Sequence, residues 1–89
     1  MNVEFKKSFA RDLKKKAKDA TLRLRVQEII QQVDDADRVD EIRNLKKLRA
    51  EGNYFRVRLG DYRIGLTIEG DTVCLVRCLD RSEIYRYFP

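Results

Sequence analysis

With 89 residues the chain has room for one domain and one modest core, which its 43% hydrophobic content can fill. Its 39% charged content places most charges in solvent, and the net charge of +5 suits a polyanionic partner, either a nucleic acid or an acidic protein. The absence of histidine excludes a Cys2His2 zinc site, and no apolar run approaches a membrane span. A cytoplasmic protein with no metal, no cofactor and no membrane partner is therefore expected.

Asn2 to Phe5 reads as a short first strand. From Lys7 to Lys18 the period is helical, with Phe5, Phe9, Leu13 and Ala17 recurring every four residues and basic residues on the other faces. Thr21 is the expected N-cap of a second helix running to Val33, with Leu22, Val26, Ile29, Ile30 and Val33 on one face. Two amphipathic helices separated by a short break predict a helical hairpin lying on something apolar. Asp34, Asp35, Asp37 and Asp40 mark an acidic loop. Its spacing fits no calcium loop, so a solvated segment is expected. Leu45 and Leu48 suit an edge strand.

From Tyr54 the period changes to two. Phe55, Val57 and Leu59 alternate with Tyr54, Arg56 and Arg58. Gly60-Asp61 reads as a tight hairpin turn, and Tyr62, Ile64, Leu66 and Ile68 then alternate with Arg63, Gly65 and Thr67. Gly70-Asp71 reads as a second such turn before an apolar strand from Thr72 to Leu79. Cys74 and Cys78 lie in that strand with the same parity, too far apart for a disulfide, and are expected as buried apolar thiols. With no repeat or linker, residues 1–89 read as a single α+β domain. Its N-terminal helical hairpin is expected on one face of a small antiparallel sheet.

A two-residue turn fixes register. Leu59 then faces Tyr62, Val57 faces Ile64 and Phe55 faces Leu66, which builds a core face. On the other face Arg58 stands across from Arg63, and Arg56 across from Gly65. Like charges opposite one another cost about 0.2–1 kcal/mol, and an anionic ligand reverses that sign. Gly65 would leave an open floor where a ligand approaches closely. Arg81 and Tyr85 follow the last strand and could rim the same face. The second turn, applied strictly, puts Arg63 opposite Cys78, Gly65 opposite Val76 and Arg77 on the core face. That is tolerable only if Arg77 reaches an edge or a bulge shifts the register near the strand end. Every lysine precedes Arg49, and every basic residue after Asn53 is arginine, whose planar fork suits phosphate. Alternating arginines are also the ordinary pattern of a solvated strand face, and the residues alone leave both readings open.

The segments Lys47-Leu48-Arg49, Tyr54 to Leu59, Gly60 to Ile64 and Asp80 to Tyr85 together resemble toxins of the RelE/ParE superfamily, and Phe5 to Leu13 resembles the superfamily's opening strand and helix. The resemblance covers nearly the whole chain. It implies a RelE-like, microbial RNase-like α+β fold. It also implies a toxin of a type II toxin–antitoxin system that cleaves mRNA on the ribosome, by attack of a ribose 2′-hydroxyl on the adjacent phosphate. By position it implies Arg56 and Arg58 at the phosphate and 2′-oxygen, and Arg63 stabilising the transition-state phosphate. Arg81 would be a further basic group, and Tyr85 would stack on a base or assist proton transfer. Lys47, Arg49 and Tyr54 would bind substrate. The implied partners are a cognate antitoxin, mRNA on the ribosome, and operator DNA only through the antitoxin. Leu79 departs from the pattern, since RelE has an arginine there, and this leaves room for a ParE-like gyrase poison without nuclease activity. A plain binding module is the third class.

Overall fold

The computed structural model describes residues 1–49 and 52–89. The elements in chain order are β1 (Asn2–Phe5), α1 (Lys7–Lys15), α2 (Ala20–Asp35), a 3-10 turn (Val39–Glu41), β2 (Leu45–Lys47), β3 (Tyr54–Leu59), β4 (Tyr62–Glu69), β5 (Thr72–Asp80) and α3 (Ile84–Tyr87). The fold is α+β, with one five-stranded sheet ordered β1-β5-β4-β3-β2.

The β2–β5 segment is the expected meander, but the sheet is mixed rather than antiparallel, because β1 pairs with β5 in parallel. The reason lies in connectivity: two helices separate β1 from the meander, and only a crossover of that length returns a chain alongside a strand running the same way. Both Gly-Asp corners use a glycine with positive φ, Gly60 at 63° and Gly70 at 59°. Side-chain-bearing residues rarely adopt that conformation.

The two N-terminal helices place Phe9, Leu22, Val26, Ile29 and Val33 in one cluster with Val57, Ile64, Leu66, Val73 and Leu75 of the sheet. Full burial of each such side chain contributes about 1.5–3 kcal/mol. α1 lies against β5, and α2 against β1 and β3.

α1 stops at Lys15 rather than Lys18, and the N-cap of α2 is Asp19 rather than Thr21. The Asp19 carboxylate accepts the Leu22 backbone N–H at 2.9 Å, which requires an extended residue 19 and ends the preceding turn. The other Asp19 oxygen accepts the Tyr62 hydroxyl at 3.3 Å, tying the start of α2 to the first Gly-Asp hairpin. Burial, and then that bond, raise the Tyr62 pKa above its ordinary value.

The β4–β5 pairing contains the bulge that Arg77 demanded. Gly65 pairs with Arg77 and Leu66 with Leu75, so Val76 is the extra residue and the shift falls in mid-strand. Arg63 therefore faces Leu79 rather than Cys78, and Gly65 faces Arg77 rather than Val76. Arg77 leaves the core face, and the cysteines do not share a face: Cys78 lies opposite Ile64 and is buried, whereas Cys74 lies opposite Thr67 and is half-buried. Both thiols are free.

Side chains of α1 satisfy the backbone around the bulge. The Ser8 hydroxyl donates to the Val76 carbonyl at 2.6 Å, and Asp12 accepts the Cys78 N–H at 2.9 Å. Asp12 also accepts from Arg77 Nε at 2.8 Å and Nη2 at 3.3 Å. Ser8 and Asp12 are four apart, hence on one helix face, and reach the same strand edge beyond the end of β1.

Candidate active site

The site is the sheet face away from α1 and α2. The first hairpin has the expected register: Leu59 with Tyr62, Arg58 with Arg63, Val57 with Ile64, Arg56 with Gly65 and Phe55 with Leu66. Parity then puts Arg56, Arg58 and Arg63 on one face. Arg81 is held close by its backbone N–H, which donates to the Asp61 carbonyl of the turn at 2.9 Å. The segment after it is shaped by Asp80, whose carboxylate accepts both the N–H and the hydroxyl of Ser82. Those two bonds hold the Asp80 carboxyl below the usual carboxylate range.

The electrostatics of Arg63 report the convergence. Loss of solvent pushes its pKa below the ordinary arginine value. Arg56, Arg58 and Arg81 push the same way, and Tyr85 acts in opposition. Arg63 thus feels the charges of the three other guanidiniums and of the Tyr85 phenol. Among the described residues none of the four arginines forms an ion pair with a carboxylate. Arg63 Nη1 donates to the Gly60 and Tyr62 carbonyls at 2.7 and 2.8 Å, and Arg56 Nη1 to the Asn44 carbonyl at 2.7 Å. Among the described residues Arg56 Nε is buried with no hydrogen-bond partner. Each guanidinium carries five N–H donors, so most remain for an anion.

The expected binding residues divide. Tyr54, paired with Thr67, lies on the arginine face, and Arg49 is exposed beyond β2. Lys47 does not join them: it pairs with Phe55 and shares its parity, which is that of the helix-bearing face. Lys46 takes the place expected of Lys47, across from Arg56. The signal that could have found it is the parity of Lys46 with Leu48. It is unusable without the β2–β3 register, because the loop between those strands has no short turn to fix it.

Gly65 differs from expectation in a second way. Its floor is filled, because a Cβ built there would lie 2.5 Å from the Phe88 ring. Phe88 is buried in a second, small cluster on this face with Leu79 and Ile84, flanked by Leu48 and Val76, and Tyr54 meets its ring edge-on at 5.8 Å. Leu79 thus forms part of the seat of α3. The face can neutralise and orient a phosphate with several rigid cationic forks, beside exposed aromatic rings at Tyr54 and Tyr85 on which a base can stack.

Residues 3–85 match the family model described as ParE toxin of the type II toxin–antitoxin system, parDE. The chain is 38% identical over its full length, and over all of the relative's, to "Toxin RelE3" of Methanocaldococcus jannaschii. A solved RelB-RelE antitoxin-toxin complex from Methanococcus jannaschii contains a chain that is 36% identical, with a TM-score of 0.78, covering 97% of this chain and 99% of that one. YafQ of E. coli shares the fold at 10% identity, with a TM-score of 0.74 and coverage of 94% and 97%.

Proposed function

The chain belongs to the ParE toxin family of type II toxin–antitoxin systems, and from its full-length likeness to Toxin RelE3 we propose that it is a ribosome-dependent endoribonuclease that cuts mRNA and is neutralised by a cognate antitoxin. The observation that carries the reading is the placement of Arg58 directly across from Arg63, with Arg56 on the same face and the Arg81 backbone tied to the turn that joins their strands. A stability-driven face would separate these charges, whereas a phosphate makes their proximity favourable.

In the reaction, the ribose 2′-oxygen attacks the adjacent phosphorus and the bond to the 5′-oxygen breaks. The products are a 2′,3′-cyclic phosphate and a 5′-hydroxyl. Negative charge grows on the phosphoryl oxygens at the crowded phosphorus. Arg63, with Arg56 and Arg58 beside it, stabilises that charge, and Arg81 adds to the field from the rim. Arginine is too weak an acid to serve as general base at neutral pH, so these residues act by electrostatics. Tyr85 stacks on a base or assists proton transfer. Tyr54, Arg49 and Lys46 bind flanking nucleotides.

The antitoxin reading rests on the 36% identical relative, which was solved as a RelB-RelE antitoxin-toxin complex. Operator DNA is reached only through the antitoxin, and the site of action is cytoplasmic. No helix among the described residues is long and apolar enough to cross a membrane.

One observation favours a second reading, a gyrase poison without nuclease activity. Leu79, directly across from Arg63, is buried in the cluster under α3 and supplies no proton donor. Primer extension on mRNA from cells induced for the protein decides between the two. Codon-linked cuts in mRNA are the expected result. Intact mRNA together with cleaved DNA would replace the ribonuclease by the gyrase reading.

A further inference from the structure

We propose that Phe88 is a positioning residue for the cleavage reaction: its ring seats in the notch that Gly65 leaves in the sheet, and this lock fixes the short helical turn that presents Tyr85 to the arginine face. The proposal rests on the ribonuclease reading above and assigns a task to two residues that reading does not use.

Tyr85 is 62% exposed and its side chain makes no hydrogen bond among the described residues, so it does not fix its own position. Position must come from the neighbours in its turn. Ile84 opens the helical turn, Phe88 follows its end four residues on, and both are almost fully buried. The Phe88 N–H donates to the Ile84 carbonyl at 2.8 Å, which closes the turn around Tyr85. Ile84 rests on the small cluster with Leu79, and Phe88 is the second anchor.

Gly65 makes that anchor possible. It is a buried position in the middle of β4, where glycine costs strand stability, and φ there does not demand glycine. Space demands it. Three carbons of the Phe88 ring lie 2.5, 2.6 and 2.9 Å from where a Cβ would stand, closer than any side chain permits. The neighbouring strands place Arg56 on one side of the notch and Arg77 on the other. Tyr54 closes a further side edge-on. Arg77 lies 5.9 Å from the Tyr87 ring and is held from below by Asp12. The tail is thus keyed to a notch within the arginine face, directly across from Arg56. The tyrosine is exposed to substrate while its support is buried.

The test combines single-turnover cleavage on mRNA-programmed ribosomes with a direct readout of docking. The Gly65 α-protons lie against the Phe88 ring and should show a ring-current shift in the NMR spectrum of the wild-type chain. Phe88→Ala should abolish that shift and lower the saturating cleavage rate by about tenfold or more, with the half-saturating ribosome concentration little changed. Phe88→Leu keeps an apolar anchor and should recover most of the rate. Gly65→Ala should reproduce the loss in the wild-type background and add nothing to Phe88→Ala. Tyr85→Ala should likewise add little to Phe88→Ala, because both remove one contribution. Three results would overturn the proposal: no ring-current shift in the wild-type chain, a saturating rate unchanged by Phe88→Ala, or losses from Phe88→Ala and Tyr85→Ala that multiply. A wild-type chain that docks its tail but cuts no mRNA would instead sink the ribonuclease reading, and the positioning role with it.

Discussion

In the proposed site Arg63 carries the largest responsibility of any single side chain. The carbonyls of Gly60 and Tyr62, both before it in the chain, accept from one of its nitrogens, and its like-charged neighbours supply the field that an anion would relieve. The alternation of Arg56, Arg58 and Arg63 and the two-residue Gly-Asp turn made this placement legible, because parity and turn length fix a register without knowledge of the rest of the fold. The same reasoning misplaced Cys78, since parity holds only until a bulge intervenes. Cys78 is buried, and burial pushes its thiol up to about 11 from an ordinary 9.0. A thiol whose folded pKa is raised contributes stability that is complete below the unfolded pKa, near 9, and is lost as pH rises through about 11. At neutral pH it is protonated and shielded. In the native chain at pH 7.5 iodoacetamide should therefore modify half-buried Cys74 well before Cys78, and mass spectrometry after brief labelling checks the order. Equal labelling of the two would show that the strand edge opens.

At the level of elements, the bulge in β5 and the face of α1 depend on each other. Val76 adds a residue, Arg77 turns to the open face, and Ser8 and Asp12 satisfy the backbone that the irregularity exposes. Burial pushes the Asp12 carboxyl up, but the Arg77 fork, the Cys78 N–H and the nearby charges of Arg77 and Lys16 together hold it below its ordinary 3.8. Its folded pKa is depressed, so its contribution is present above the unfolded pKa, near 4, and is lost as pH falls through the lowered value. Asp12→Ala leaves Arg77 and the Cys78 N–H without their partner, and a loss of about 3 kcal/mol in urea unfolding is expected. The variant's stability should also change less between pH 5 and pH 2 than that of the wild type. A loss below about 1 kcal/mol would mean that water replaces Asp12 at little cost. The awkward parity of Arg77 pointed to a bulge, but the role of Asp12 was not legible in the sequence, where it is one acid in a basic helix. Its partner lies 65 residues away, and only the position of a mid-strand bulge brings the two together. The same holds for Gly65: its smallness was visible, but the occupant of the space was a phenylalanine at the far end of the chain.

The whole molecule is a small, net-positive α+β domain with a helix-covered core face and an open arginine face on one sheet. The order of helices followed by a meander conveyed that layering, because a sheet with alternating apolar residues must be covered on one side. Parallel docking of β1 was not conveyed, since four residues carry no register information without a turn. Adding the purified chain to ribosomes programmed with a defined mRNA, with wild type and Arg63→Ala compared at equal antitoxin binding and melting temperature, tests whether the guanidiniums around Arg63 cut RNA. The expected result is fragments ending in a 2′,3′-cyclic phosphate, formed at a rate that falls by about a hundredfold or more in Arg63→Ala. Cleavage at the wild-type rate by a folded Arg63→Ala, or no cleavage by either chain, would contradict RNA cutting by these guanidiniums.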